Sequence, residues 1–89
     1  MTPPPDAVAR LRALPEGAFT ARIGPRRWNA RKTVLARGRS LKIVAEELGG
    51  PGYVSANLYL LAEGPRLYPC EMPAERVLAF LRDAVVADQ

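Results

Sequence analysis

The sequence predicts an α+β fold, in which an antiparallel β-meander of four or five strands carries an N-terminal and a C-terminal helix on one face. Three observations lead to this prediction. Apolar and polar residues alternate along the middle of the chain, most clearly over residues 53–61, as in a strand with one buried face. Glycine and proline separate these segments, as they do in turns. Near the end of the chain, apolar residues recur at helical spacing instead.

The two helices are predicted at the ends of the chain. The first covers residues 7–14, because Asp6 can cap its start and Pro15 stops it. The second opens at Pro73, since proline suits the first helical position and Glu75 suits the positive end of the helix dipole. The apolar stripe of this second helix consists of Val77, Phe80, Leu81, Ala84 and Val85.

Four strands and a short fifth are predicted between the helices, at residues 18–23, 27–36, 41–48, 53–61 and 66–68. Segment 41–48 also fits a helix, because its apolar residues recur at helical spacing after a capping Ser40. Such a helix would suggest a helix-turn-helix, but its second element would lack cations to contact DNA. The hairpin with residues 53–61 across a glycine-rich turn favours the strand, which we adopt. Pro69 makes the short fifth strand an edge.

Length and composition predict one small domain. Of the 89 residues, 48% are apolar and 25% are charged, as is usual for a globular protein. We expect a single domain at residues 6–86 and flexible tails at residues 1–5 and 87–89. No apolar run approaches the roughly 20 residues of a membrane helix, and the N-terminus lacks the features of a signal peptide. We therefore expect a cytoplasmic protein without membrane contact, and the Ala-, Arg- and Pro-rich composition is typical of a GC-rich bacterial genome.

The residue types present exclude several classes of catalytic site. The chain has no histidine and a single cysteine, Cys70. A dyad or triad that uses histidine, or a tetrahedral zinc site of Cys and His, cannot be built from it. No Walker motif and no dinucleotide-binding glycine motif is present. We expect no cofactor and no metal, and a binding or accessory domain rather than an enzyme.

A basic segment is the strongest compositional signal for binding. Residues 17–45 contain eight of the thirteen basic residues and no acidic one. Cations interleaved with an aromatic side chain can bind phosphates and stack on a base. In a meander, Arg31 and Lys42 can lie on neighbouring strands of one exposed face. A solvated basic edge that discourages pairing between sheets is the alternative explanation. The candidate residues are Arg26, Arg27, Trp28, Arg31, Lys32 and Lys42.

Two further candidates lie outside this segment. Asn57 and Tyr59 belong to a polar row on the strand at residues 53–61, which either binds a ligand through neutral hydrogen bonds or is an ordinary solvent face. Cys70 precedes the C-terminal helix, where the helix dipole favours a reactive thiolate. Without a second cysteine or a histidine, a buried structural cysteine is the expected role, and thiol chemistry is the alternative.

Three short motifs carry a resemblance. Glu47–Gly50 reads ELGG, Ser55–Tyr59 reads SANLY and Pro69–Pro73 reads PCEMP. Together they resemble a motif series, ELGG, SxNLY and PCEMP, found in a group of short bacterial proteins of unassigned function. The resemblance covers roughly residues 38–82. It implies that the three motifs belong to one domain, and it implies no activity.

Three functional hypotheses follow. The first is a non-enzymatic binding or accessory domain that binds an unidentified protein partner through an open sheet face and the hairpin at residues 47–59. The second is nucleic-acid binding through the basic surface at residues 22–42. The third is a redox role for the thiol of Cys70.

Overall fold

The computed structural model describes residues 1–87 and contains a six-stranded antiparallel sheet with two helices. The strands are β1 (Gly17–Ile23), β2 (Arg26–Leu35), β3 (Ser40–Glu47), β4 (Tyr53–Leu61), β5 (Gly64–Pro69) and β6 (Val85–Val86). The helices are α1 (Pro5–Ala13) and α2 (Ala74–Asp83). The strand order β5-β4-β3-β2-β1-β6 makes the first five strands a meander, and β6 adds to the free edge of β1. The predicted α+β class is confirmed.

The sixth strand corrects the predicted end of the second helix. The backbone of Ala84 is extended, so α2 ends at Asp83. Val85 therefore leaves the helix and pairs with Arg22 of β1. Two consecutive β-branched residues favour a strand, and the edge of β1 offers unpaired backbone groups. The prediction that Val85 belongs to the helical stripe was wrong.

The predicted strand at residues 41–48 is confirmed, with bounds Ser40–Glu47. This strand, β3, pairs with β2 on one side and with β4 on the other. Its alternate residues Leu41, Ile43 and Ala45 are all buried. Hydrogen bonds to two neighbouring strands use backbone groups that a helix would need for itself, so the hairpin context outweighs the local helical pattern. The helix-turn-helix alternative is excluded.

Both helices contribute to one core on a single face of the sheet, here called the helix face. The strands supply Phe19, Ala21, Trp28, Ala30, Leu41, Ile43, Ala45, Val54, Ala56, Leu58 and Leu67. The helices supply Ala7, Leu11, Val77, Phe80, Leu81 and Ala84. Alternation along each strand sends the neighbouring side chains to the opposite face. Neither helix of residues 1–87 has the length and apolar character needed to cross a membrane.

Residues 1–5, predicted as a flexible tail, are held against the domain. Helix α1 already begins at Pro5. The amino group of Met1 donates a hydrogen bond to the carbonyl oxygen of Leu67 at 2.9 Å, and the Leu67 N–H donates to the Met1 oxygen at 2.8 Å. The outer edge of β5 leaves these groups of Leu67 free, and the start of the chain satisfies them. At the other end, Ala87 donates to the Thr20 oxygen at 2.9 Å. The rest of the predicted C-terminal tail, residues 88–89, lies outside the described residues.

Candidate functional site

The sheet face opposite the helices, here called the open face, has no helix over it within residues 1–87. Alternate residues of β1 to β5 form it, because their neighbours on each strand lie in the core. Its charged residues are Arg22, Arg27, Arg31, Lys42, Arg66 and Glu46. Glu46 is the only carboxylate that the strands place on this face. Among the strand residues of the described range 1–87, the open face therefore carries five positive charges against one negative charge.

The five cations form a diagonal line across the sheet, here called the cation track. Arg22 on β1 and Arg27 on β2 are direct cross-strand partners. Arg31 lies further along β2, and Lys42 on β3 is its diagonal neighbour. Arg66 on β5 ends the line at the far side of the sheet. The first four side chains are exposed, and Arg66 is half-buried.

The cation track has no ion pairs among residues 1–87. No carboxylate oxygen of these residues lies within 4.0 Å of any of the five cationic groups. Like charges directly opposite each other on paired strands destabilise a sheet, and Arg22 and Arg27 are such a pair. An anion bound between them would remove this repulsion. The arrangement is therefore suited to a ligand with several negative charges.

Two tyrosines lie at the β4–β5 end of the cation track. The rings of Tyr59 and Tyr68 meet edge to face, with centroids 5.6 Å apart. Their side chains remain 37% and 51% exposed, which leaves ring surface free for another planar group. Tyr68 pairs with Asn57 across the strands, and Asn57 pairs with Lys42. An aromatic ring, an amide and an ammonium group thus lie in one row.

Five of the predicted binding residues lie on the open face: Arg27, Arg31, Lys42, Asn57 and Tyr59. The expectation that Arg31 and Lys42 occupy neighbouring strands of one exposed face is confirmed. The other three predicted residues lie on the helix face, because even-numbered positions of β2 point towards the helices.

Arg26 and Trp28 therefore do not belong to the open face. Arg26 forms an ion pair with Glu47, with 2.7 Å between Nη1 and Oε2. Trp28 is buried and meets Phe80 of α2 edge to face at a centroid distance of 5.2 Å. A ring in this position belongs to the core and cannot stack on a ligand at the other face of the sheet.

Lys32 has a structural role instead of the predicted binding role. Its side chain is only 6% exposed, and Nζ donates to the carbonyl oxygens of Arg12 and Leu14, each at 2.8 Å. These carbonyls end α1 and have no partner within the helix. Burial lowers the pKa of Lys32, the carboxylate of Glu16 opposes this shift and the charge of Arg12 adds to it. Lys32 interrupts the apolar row of β2 because it caps the C-terminus of α1.

Three residues of the open face were not among the named candidates: Arg66, Tyr68 and Arg22, although Arg22 begins the predicted basic surface at residues 22–42. Strand alternation could have found two of them, since Arg22 follows the buried Ala21 and Arg66 precedes the buried Leu67. Tyr68 becomes a neighbour of Tyr59 only through the register of β4 with β5.

Cys70 follows the end of β5 and is half-buried. Its N–H donates to the carbonyl oxygen of Ser55 at 2.9 Å, and its Sγ accepts a hydrogen bond from Nδ2 of Asn57 at 3.7 Å. These contacts join the PCEMP segment to the SANLY strand. Over the described range 1–87, no group of three or more Cys, Asp or Glu side chains is placed to hold a metal ion.

A groove of about 360 Å³ lies at one end of the sheet, between the β3–β4 turn and α2. Trp28, Val54 and Phe80 are among its lining residues. Gly52 lies against the indole, so a Cβ at this position would be 2.6 Å from Cη2 of Trp28. None of the five residues of the cation track lines this groove.

Comparison of the chain with protein-family models, with curated protein sequences and with solved structures finds no significant match. The class that fold and site define is a small α+β domain with a basic, aromatic open sheet face.

Proposed function

We propose that this protein is a non-enzymatic nucleic-acid-binding domain, which holds the phosphate backbone along the cation track. The observation that carries the proposal is five cations without ion pairs among residues 1–87, on a face with a single strand carboxylate. Phosphates spaced along a backbone provide repeated negative charges, and a line of Lys and Arg side chains neutralises them with release of counterions.

Edge protection does not account for this arrangement. Charges that discourage pairing between sheets are needed on edge strands. Arg27, Arg31 and Lys42 lie on β2 and β3, which are interior strands with a partner on each side. Their unpaired charges therefore point to a ligand that covers the face.

A nucleic acid fits this face better than an acidic protein segment does. The exposed rings of Tyr59 and Tyr68 adjoin the cation track, and a nucleic acid supplies planar bases beside its phosphates. An acidic peptide supplies the negative charges without a planar group at regular spacing.

The experiment measures fluorescence anisotropy of a labelled oligonucleotide of about twelve nucleotides at increasing salt concentrations. If all five cations contact phosphates of a single strand, the logarithm of the binding constant falls with the logarithm of salt concentration with a slope of about −3.5. The double variant Arg31→Gln/Lys42→Gln should reduce the magnitude of this slope by about 1.4 and weaken binding at low salt by about tenfold or more.

The matched control is Arg10→Gln/Arg12→Gln, which removes the same charge from exposed positions on α1. It should bind nearly as the original protein does. Equal losses in the two variants would contradict the proposal, because binding would then follow net charge and not the open face. A polyglutamate peptide that binds as tightly as the oligonucleotide would identify an acidic protein partner instead, and no binding of the oligonucleotide at low salt would reject the proposal.

A further inference from the structure

We infer that the ligand of the open face is an unpaired nucleic-acid strand, one of whose bases stacks on the Tyr59–Tyr68 pair. This inference rests on the proposed function and names its substrate class. It depends on the shape of the face and on the position of the two rings.

The shape of the open face is unsuited to a duplex groove. Five strands at about 4.8 Å spacing make a surface about 19 Å wide from β1 to β5. The major groove of B-DNA is about 12 Å wide and admits a helix or a two-stranded ribbon. Both helices pack in the core on the helix face, so neither stands on the open face to enter a groove.

The exposed position of the two tyrosines fits a base that is free to leave a stack. In a duplex, the flat faces of the bases are covered by their neighbours, and an exposed ring of the protein cannot reach them. In a single strand, a base can turn towards the sheet and stack on an aromatic side chain. Tyr59 and Tyr68 are the exposed rings at the end of the cation track, and Arg66 is the direct cross-strand partner of Tyr59. A backbone that follows the track therefore brings a base to this pair of rings.

Asn57 lies between the stacking site and the track. It is the cross-strand neighbour of both Tyr68 and Lys42. The edge of a base that stacks on the tyrosines would lie close to this amide, while the adjacent phosphate would lie close to the ammonium of Lys42. One nucleotide can thus meet three side chains in one row of the sheet.

The length of the cation track determines how long the oligonucleotide probe must be. A diagonal from Arg22 to Arg66 crosses four strand intervals and about eight residues along the strands, which is roughly 30 Å. An oligonucleotide of about twelve nucleotides covers this distance at any spacing from about 3.4 Å upward. Oligothymidine of this length is a suitable probe because it forms no duplex with itself.

The experiment compares three ligands at the same salt concentration: the oligothymidine, a DNA duplex of equal length, and polyphosphate, which has charge but no bases. The unaltered protein should bind the oligothymidine at least about tenfold more tightly than the duplex. The variant Tyr59→Leu/Tyr68→Leu keeps apolar side chains on the exposed face. It should lose about tenfold or more in affinity for the oligothymidine and leave the binding of polyphosphate unchanged.

Two controls keep the result specific to stacking. Tyr53→Leu makes the same substitution at an exposed tyrosine of β4 that adjoins Glu46, and it should change affinity little. Tyr68→Phe keeps the ring and should retain the affinity. Far-ultraviolet circular dichroism of each variant checks that it folds.

The outcomes separate this inference from the proposed function. Equal affinity for the single strand and the duplex, or full affinity in the Tyr59→Leu/Tyr68→Leu variant, would overturn the unpaired strand with a stacked base. The nucleic-acid interface would still stand if the Arg31→Gln/Lys42→Gln variant lost affinity. If neither DNA bound at low salt, the proposed function itself would fail.

Discussion

The cations on the two faces of the sheet differ in whether they have partners within the protein. On the helix face, Arg26 is paired with Glu47, and Lys32 donates to two carbonyl oxygens at the end of α1. On the open face, the five cations of the track have no carboxylate partner among residues 1–87. Arg31 and Lys32 are adjacent in sequence and lie on different faces. Lys32 and Arg26 of the helix face thus contact other groups of the fold, whereas the cations of the open face have no ion pair among residues 1–87. Of these five, Arg66 donates a hydrogen bond to the carbonyl oxygen of Pro65 at 2.9 Å.

The largest expected difference between the faces is in packing, and β4 offers adjacent positions to test it. Leu58 is 1% exposed on the helix face, and the next residue, Tyr59, is exposed on the other. Leu58→Ala should lower the free energy of unfolding by about 3 kcal/mol, because it removes transfer energy and leaves a cavity. Tyr59→Ala should cost only about 1 kcal/mol, mainly from the lost edge-to-face contact with Tyr68. Urea unfolding measures both, and equal losses would show that the open face is covered in the isolated protein.

The next difference is between two lysines, one on each face. Lys32→Met should lower the free energy of unfolding by about 1 kcal/mol, because it leaves the part-buried carbonyls of Arg12 and Leu14 without the Nζ donor. Lys42→Met, at an exposed position, should change it by less than about 0.5 kcal/mol. Thermal and urea unfolding of both variants provide the measurement. Unchanged stability in Lys32→Met would mean that relief from burying the ammonium offsets the lost hydrogen bonds.

Much of this fold could be predicted because local pattern and tertiary context agree. The apolar residues of β4 recur at every second position, as in a strand, and those of α2 recur at every third or fourth position, as in a helix. For β3 the local pattern suggests a helix, and the hairpin with β4 decides the structure. Strand β6 could not be predicted, because a strand of two residues is too short to show an alternating pattern. Val85 also fits the helical stripe of α2.

The candidate site could be predicted only in part. Strand alternation decides on which face of the sheet a side chain lies, and tertiary contacts decide which groups it meets there. Basic composition indicated the segment that supplies four of the five cations of the open face, but it did not separate Arg31 from Lys32. The role of Lys32 depends on the end of α1, which approaches β2 only in the folded chain. The Tyr59–Tyr68 pair depends on the register of β4 with β5, and Pro69 shortened the predicted fifth strand.

The smallest expected effect on stability concerns the repulsion between two cations of the open face, which would lower stability while favouring a bound anion. Arg22 lies directly opposite Arg27, so Arg22→Gln should remove a repulsion and raise the free energy of unfolding by a few tenths of a kcal/mol. The same variant should bind oligothymidine less tightly, with a salt slope reduced in magnitude by about 0.7.

Arg31→Gln is the matched control for this prediction. It removes one cation of the same track, but its cross-strand partners are Ala18 and Val44, so no repulsion is relieved. It should weaken binding to a similar extent without the gain in stability. If Arg22→Gln lowered stability as well as affinity, the two arginines would not repel each other in the free protein. In that case their opposition would no longer be evidence that the face is arranged for an anion.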